Sequence, residues 1–298
     1  MTVSEGPDVV LLGAGKLGAA AVERWVEGGR QVTVWNRTPE RAEKLAGPQV
    51  SVETDLATAV VQAPVVVTLL SDGPALRDVL LDRGAIGAME AGTTLMDLST
   101  VDVASSEAVA RAAAERGLGY VRGAVSGTAS VLSSGAAGLL LSGPQDALGS
   151  VKALLDDLGE NQVVVGEGEE AKIAKLATNM LLAGTMEVLA EAVVMAEASG
   201  LPRETVLDAL GSTVLSSKFL EYKGTALKDR NYDATFTTAA LLKDVNLALA
   251  QGESVGVSEP ALAAIRERLD RAVEEGWGED DFLALTRVVQ TDAGRPVD

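Results

Sequence analysis

The sequence predicts two domains of different class. An α/β domain on a doubly wound parallel sheet takes residues 1–166, and an all-α domain takes residues 167–298. Three observations carry this. Short runs rich in Val, Leu and Thr alternate with helical patterns through the first half. Those runs are apolar at every position rather than at every second one, as parallel strands buried on both faces require. After Gly168 the strand signal stops and only helical periodicity remains.

The strand-like runs fall at 9–12, 31–35, 65–70 and 93–98, with weaker ones at 119–125, 138–143 and 162–166. Helical patterns between them include Leu17 to Glu27 and Val103 to Arg116. In the second half they run from about Glu170 to Ser199, Arg203 to Gly211, Thr235 to Ser254, Glu259 to Glu275 and Asp281 to Gln290. Gly200-Leu201-Pro202 reads as a helix stop followed by a restart, and Gly276-Trp277-Gly278 as a further break. The tail after Gln290 is expected to be loose. There is no internal repeat.

Composition narrows the chemistry by omission. The chain has no cysteine and no histidine. Disulfides, thiolate nucleophiles, His-based triads and His or Cys metal sites are therefore excluded. Any enzymatic proton transfer falls to Lys, Tyr, Asp, Glu or water. The formal net charge is -18, shared by both halves, which argues against nucleic acid and anionic membrane surfaces as partners. The apolar stretch Met180 to Met195 is interrupted by Glu187 and Glu191 and reads as a buried helix, not a membrane span. Those two glutamates, four apart and alike in charge, are expected to face water or separate partners. With no charged-then-apolar leader before the first strand, the expected location is the cytoplasm.

Residues 9–22 read VVLLGAGKLGAAAV, so Gly13, Gly15 and Gly18 form G-x-G-x-x-G between a strand and a helix. The first glycine permits the tight turn. The second admits a pyrophosphate to the backbone, and the third lets helix and strand pack closely. This context predicts a Rossmann-type dinucleotide site, with Lys16 and Leu17 of the same loop among the contacts. The second strand ends in Asn36-Arg37-Thr38, where an NAD-selective site usually carries Asp or Glu. An arginine there suits a 2'-phosphate, so the expected cofactor is NADPH, NADP being preferred over NAD. Alternatively Arg37 is a solvated helix-entry residue and Arg41 serves instead. Leu69, Leu70 and Ser71, and also Ser99 and Thr100, fall at carboxyl ends of strands, where ligands sit in such sheets. Loop caps are the equal alternative.

LLGAGKLG with WNRT, RGAVSGTASVLSSG, KLATNM and LLKDVNLAL, in this order, resemble the β-hydroxyacid dehydrogenase family over nearly the whole chain. That family includes 3-hydroxyisobutyrate dehydrogenases and glyoxylate/succinic semialdehyde reductases. The resemblance implies a nucleotide domain and a helical domain joined by a long helix, and a homodimer formed through the helical domains. It also implies that a lysine on the interdomain helix protonates the carbonyl oxygen as hydride arrives, with an asparagine one turn later orienting the substrate. Lys175 and Asn179 fit, being four apart on one helical face. A lysine in an apolar cleft has its charged form disfavoured, which suits proton transfer. Lys172, three residues earlier, is expected at the surface or facing phosphate. Asn179 has an alternative as a buried helix–helix hydrogen bond.

By the same resemblance Ser126, Gly127 and Thr128 hold the acid end of a substrate. The family loop there reads close to D-A-P-V-S-G-G, whereas this chain has Arg122-Gly123-Ala124-Val125-Ser126-Gly127-Thr128. The aspartate, the proline and the last glycine are replaced, which bears on a carboxylate substrate more than on the fold. Lys243 matches a family lysine near cofactor and substrate, and Asp244 a brace of the site. The alternative is an exposed charge pair. Phe236, seven residues before Lys243, is expected either to wall the nicotinamide pocket or to pack in the core. Trp277 and Phe282 are expected in the core or at a dimer contact.

These readings converge on an NADPH-dependent oxidoreductase of a small aldehyde, ketone or oxo-acid. An imine reductase, from the sister group with the same fold, is the first alternative. A dinucleotide-binding regulator without turnover is the second. Lys175 argues against both, and the altered 122–128 loop argues for the imine reductase.

Overall fold

The computed structural model describes residues 6–61 and 63–298. Two compact units divide the chain, Met1–Lys175 and Leu176–Asp298.

The first unit is built on one eight-stranded sheet. Its strands are β1 (Val9–Leu12), β2 (Val32–Trp35), β3 (Val50–Val52), β4 (Val65–Thr68), β5 (Thr94–Asp97), β6 (Gly119–Ser126), β7 (Gly138–Ser142) and β8 (Asn161–Gly166). Their order across the sheet is β3-β2-β1-β4-β5-β6-β7-β8. Among the described residues eight α-helices lie within this unit, besides a π-helical turn at Asp78–Asp82: α1 (Lys16–Glu27), α2 (Pro39–Glu43), α3 (Leu56–Val60), α4 (Gly73–Arg77), α5 (Ala85–Ala88), α6 (Val103–Glu115), α7 (Ala129–Ser133) and α8 (Gln145–Leu158). The unbroken apolar strands now have their physical reason. Val9 and Leu11 pack beneath α1 and α8 with Trp25, Val151 and Leu154. Val10 and Leu12 pack on the opposite face with Leu76, Leu80 and Val109.

Three features depart from the expected sheet. All pairings are parallel except β6 with β7, which run antiparallel. The short α7 turns the chain back at that point, and β8 then pairs parallel to β7. Edge strand β3 gave no signal because it is three residues long and its central Ser51 is exposed.

Helix α9 (Glu170–Ala198) begins in the first unit and ends in the second. Gly200, in the left-handed region at φ +90°, ends it, and Leu201 N–H returns to Ala196 O. The second unit continues with α10 (Arg203–Gly211), α11 (Lys218–Lys228), α12 (Thr238–Ser254), α13 (Pro260–Ala272) and α14 (Leu285–Asp292). Among the described residues no strand follows β8. The sequence pattern passes over α11 because Lys218, Lys223 and Lys228 with Gly224 break its apolar periodicity. Lys223 is nevertheless buried, with Nζ 2.7 Å from both oxygens of Asp281. Burial pushes this ammonium below its ordinary range while Asp281 holds it up.

By length and composition α9 is apolar enough to cross a bilayer, but half of its most apolar stretch is buried in the protein. Ala183, Met186, Ala190 and Val193 pack against Leu241, Val245 and Leu285. Phe282 lies in this core as expected, while Trp277 is half-buried with the Arg287 guanidinium 5.6 Å from its ring. Of the two glutamates expected to face water or separate partners, Glu191 is 58% exposed as expected but Glu187 is not. Glu187 is buried against Arg268, and the same arginine reaches Glu191 at 3.8 Å. Burial pushes the Glu187 carboxyl up against the opposing pull of Arg268.

The tail is not loose either. The Asp298 side chain is wholly buried, 2.6 Å from Arg203 Nη1, and it accepts from Tyr232 Oη at 2.8 Å and pairs with Arg230. Arg203 also binds Glu197 at 3.0 Å. Two arginines and a phenol thus take one carboxylate out of water, which sequence polarity alone does not reveal. Removing one partner of a buried pair strands the other charge and costs roughly 3–5 kcal/mol. Arg203→Ala is therefore expected to lower the urea midpoint of the protein markedly, whereas Arg266→Ala, in an exposed pair with Asp270, leaves it nearly unchanged.

Candidate active site

The glycine loop leaves β1 and enters α1. Gly13 has φ +122°, and a Cβ there would stand 2.3 Å from Leu69 O. A Cβ on Gly18 would stand 2.1 Å from Gly13 O. Both positions therefore accept only glycine, one for the turn and one for helix–strand contact. Gly15 differs, since a Cβ there would meet nothing within 4 Å. It precedes α1 with no side-chain cap, so backbone amides lead the helix, beside exposed Lys16. Open approach, an uncapped N-terminus and a cation make a donor set that fits a pyrophosphate. Leu17 is half-buried and packs on the core.

The loop is braced from β2. Asn36 Oδ1 accepts from Ala14 N at 3.0 Å, and Asn36 Nδ2 donates to Thr38 O at 2.8 Å. Both ends of this amide serve the backbone, so Asn36 shapes the site from beneath. Arg37, Thr38 and Arg41 are exposed around the start of α2. No carboxylate stands in the Asn36-Arg37-Thr38 turn, so its charge suits a 2'-phosphate.

The ends of β4 and β5 are knit together. Ser99 Oγ accepts from Leu70 N at 2.9 Å, the loop-cap alternative raised for this serine. Asp97 is fully buried. Its Oδ1 accepts from Thr68 Oγ1 at 2.7 Å and from Ser99 N at 3.0 Å. Leu69 and Leu70 are half-buried, Ser71 is exposed with its Oγ 3.0 Å from Asp72, and Thr100 is half-buried.

Helix α9 enters this neighbourhood with both lysines. Lys175 is half-buried and donates to Val125 O at 3.0 Å, next to the Ser126-Gly127-Thr128 turn. Lys172 is neither at the surface nor facing phosphate. It is 1% exposed and donates to Asp97 O, Ser99 O and Gly123 O at 2.9, 2.8 and 2.9 Å, with Asp97 Oδ2 at 2.8 Å. Burial pushes its ammonium below the ordinary range against the pull of Asp97. A signal for this was present: Lys172, Leu176, Asn179 and Ala183 follow the spacing of one buried helical stripe. Asp97 was missed as the partner of a lysine expected at the surface or facing phosphate.

The 122–128 loop is also settled by its contacts. Arg122 is buried, 2.7 Å from Glu169 Oε1 and 4.5 Å over the Tyr120 ring, so its charge is spent inside the protein. Thr128 caps α7, with Oγ1 2.8 Å from Ser130 Oγ and 3.4 Å from Val131 N. Gly127 has φ +145° beneath Val131.

The second unit groups Asn179, Lys243 and Asp244. Asn179 Nδ2 donates to Asp244 Oδ2 at 2.5 Å, the buried helix–helix bond that was its alternative reading. Lys243 Nζ lies 3.0 Å from Asp244 Oδ1. The pair is not an exposed one, for Asp244 is buried and Lys243 half-buried. Phe236 packs edge-to-face on Phe282 at 6.0 Å, and its backbone N–H donates to Asp281.

Comparisons with known proteins agree with this layout. Residues 8–166 match the family described as the NAD binding domain of 6-phosphogluconate dehydrogenase. Residues 167–289 match the NAD-binding region of NADP-dependent 3-hydroxyisobutyrate dehydrogenase. The chain is 31% identical to glyoxylate/succinic semialdehyde reductase 1 of Arabidopsis thaliana over 95% of this chain and 98% of that protein. It shares its fold with 3-hydroxyisobutyrate dehydrogenase of Mycobacterium tuberculosis in complex with L-serine, with TM-score 0.86 and 23% identity over 95% and 98% of the two chains. A more distant likeness is to an imine reductase of Myxococcus stipitatus, with TM-score 0.65 and 23% identity over 95% and 99%. The chain thus belongs to the β-hydroxyacid dehydrogenase family of NAD(P)-dependent oxidoreductases, which act on CH–OH groups.

Proposed function

We propose that this protein is an NADPH-dependent reductase of a small aldehyde, ketone or oxo-acid, with Lys175 as proton donor. The observation that carries this is Lys175 itself, half-buried, bonded to Val125 O beside the Ser126–Thr128 turn, and one helical turn before Asn179. When bound, the nicotinamide supplies hydride to the carbonyl carbon. Lys175 Nζ gives a proton to the carbonyl oxygen and takes it back in the oxidation. Its bond to the Val125 carbonyl aims the ammonium and limits its rotamers. Ser126 and Gly127 orient the substrate from the β6 end, while within the second unit Asn179 and Lys243 are each paired with Asp244. Arg122 takes no part in holding a carboxylate, being paired with Glu169. The name of the Arabidopsis relative makes glyoxylate and succinic semialdehyde the first substrates to try.

Imine reduction is the second reading. The engaged Thr128 and the sequestered Arg122 favour it, because they leave the 122–128 loop unlike a carboxylate clamp. A homodimer belongs to the same reading. Leu181, Val188 and Met195 are 74, 64 and 63% exposed and seven residues apart, an apolar stripe along the second-unit part of α9 that a second copy would cover.

Three results test this. Lys175→Ala is expected to lose roughly 10²–10⁴-fold in kcat for carbonyl reduction while still binding NADPH, as removal of a general acid does. Unchanged turnover, or turnover of cyclic imines alone, sinks the proton-donor reading, and no turnover of any substrate by the wild type favours a regulator. Arg37→Ala is expected to weaken NADPH binding by roughly tenfold or more with NADH unaffected, the loss of a charge-assisted contact to the 2'-phosphate. Equal effects on both cofactors would remove the NADP preference. Leu181→Glu with Val188→Glu should give a monomer by analytical ultracentrifugation where the wild type is a dimer.

A further inference from the structure

We propose that Lys172 is a positioning residue for this reaction, pinning the start of α9 to the end of β5 and to β6 so that Lys175 presents its ammonium correctly. The inference rests on Lys175 being the proton donor. It starts from a lysine that has nothing left to give a substrate. An ammonium has three hydrogens. Those of Lys172 go to Asp97 O, Ser99 O and Gly123 O at 2.8–2.9 Å, and Asp97 Oδ2 lies 2.8 Å away.

Placement is what distinguishes this cage from an ordinary buried pair. Asp97 and Ser99 stand at the end of β5, Gly123 within β6. Lys172 binds Gly123 O, and Lys175 binds Val125 O on the same strand. Three residues of helix advance about 4.5 Å and two of strand about 6.6 Å, so the lysines climb strand and helix together. One such bond allows the helix to swivel, and two fix both its rotation and its slide. The anchors are themselves held. Asp97 Oδ1 accepts from Thr68 on β4 and from Ser99 N. Ahead of Lys172, Glu169 pairs with Arg122 of β6, and Ser142 of β7 accepts from Ala171 N and donates to Gly168 O.

The polar choice is costly. An unbranched apolar side chain of similar length would fill the space without desolvating an ammonium, a penalty of several kcal/mol before pairing. What the ammonium adds is direction: three aimed bonds from one atom to two strands. Burial lowers its pKa while Asp97 and Glu169 oppose that and Arg122 adds to it, so two cations and two anions share the cage.

The test is a double-mutant cycle on single-turnover hydride transfer, with NADPH affinity measured in parallel. Lys172→Met is expected to slow the wild type by roughly ten- to a hundredfold, the scale of a misplaced catalytic group, with NADPH affinity held within about twofold. In the Lys175→Ala background the same substitution is expected to cost nothing further. An equal slowing in both backgrounds, or a lower melting temperature with an unchanged rate, overturns the inference and leaves Lys172 a structural residue. If Lys175→Ala alone keeps the wild-type rate, the proton-donor reading fails instead. Should Lys172→Met not fold, Lys172→Gln with Asp97→Asn removes both charges while keeping amide hydrogen bonds, and the same cycle on that pair decides.

Discussion

The ammonium of Lys172 is the contact on which the geometry of the first unit's chemistry depends. It ties α9 to the end of β5 and to β6 at one atom, and through Asp97 it reaches a third strand. Without compensation a buried cation is among the most costly features a fold can hold. Here three carbonyls and a carboxylate supply the compensation, from the end of β5, the residues just after it and the interior of β6. The strand ends are also where the glycine loop, Leu69 and Ser99 meet, since Leu69 O sits against Gly13 and Leu70 N–H donates to Ser99. Helix start, phosphate turn and loop are therefore set by one connected group of polar contacts.

The absence of histidine and cysteine leaves proton chemistry to Lys, Tyr, Asp, Glu or water, and the two lysines of α9 differ sharply in setting. Lys172 is dry and committed on every hydrogen, whereas Lys175 is half-buried beside the Ser126–Thr128 turn. They are three residues apart on one helix and differ in depth. Around them the protein is strongly acidic, at -18 overall. An anionic cofactor approaching such a surface must rely on cations within a Debye length of about 8 Å, which are Lys16 at the head of α1 and Arg37 and Arg41 around α2. Their exposure makes the attraction sensitive to salt.

Much of this was legible in the chain. Seven of the eight strands announce themselves by apolar runs, which burial on both faces explains for the inner strands but not for edge strand β8, whose Val163 and Val164 are 54 and 60% exposed; the glycine spacing has only one steric explanation once Gly13 and Gly18 are seen against Leu69 and each other. Where reading failed, it failed on charge and on short elements. Lys172, Lys223, Arg122, Glu187 and Asp298 all look like surface in a sequence, and all are buried against a partner distant in the chain. Polarity predicts exposure only when no partner exists, and a partner 47 or 75 residues away is invisible to local periodicity. The antiparallel turn into β7 was hidden differently, because a strand's apolar pattern carries no direction.

Asp244 shows how a single buried carboxylate disciplines the second unit in the same manner. A carboxylate only accepts, so the amide nitrogen of Asn179 must face it, and the carbonyl oxygen of Asn179 is turned the other way. The same carboxylate draws Lys243 to 3.0 Å and so fixes a cation beside an oriented amide. Asparagine has two nearly equivalent faces, and without Asp244 its orientation would be a matter of small energy differences. With Asp244 the wrong face would set one acceptor against another in a dry site, at a cost of roughly 1–3 kcal/mol for the unsatisfied bond alone. The helix–helix bond therefore fixes the orientation of the Asn179 amide.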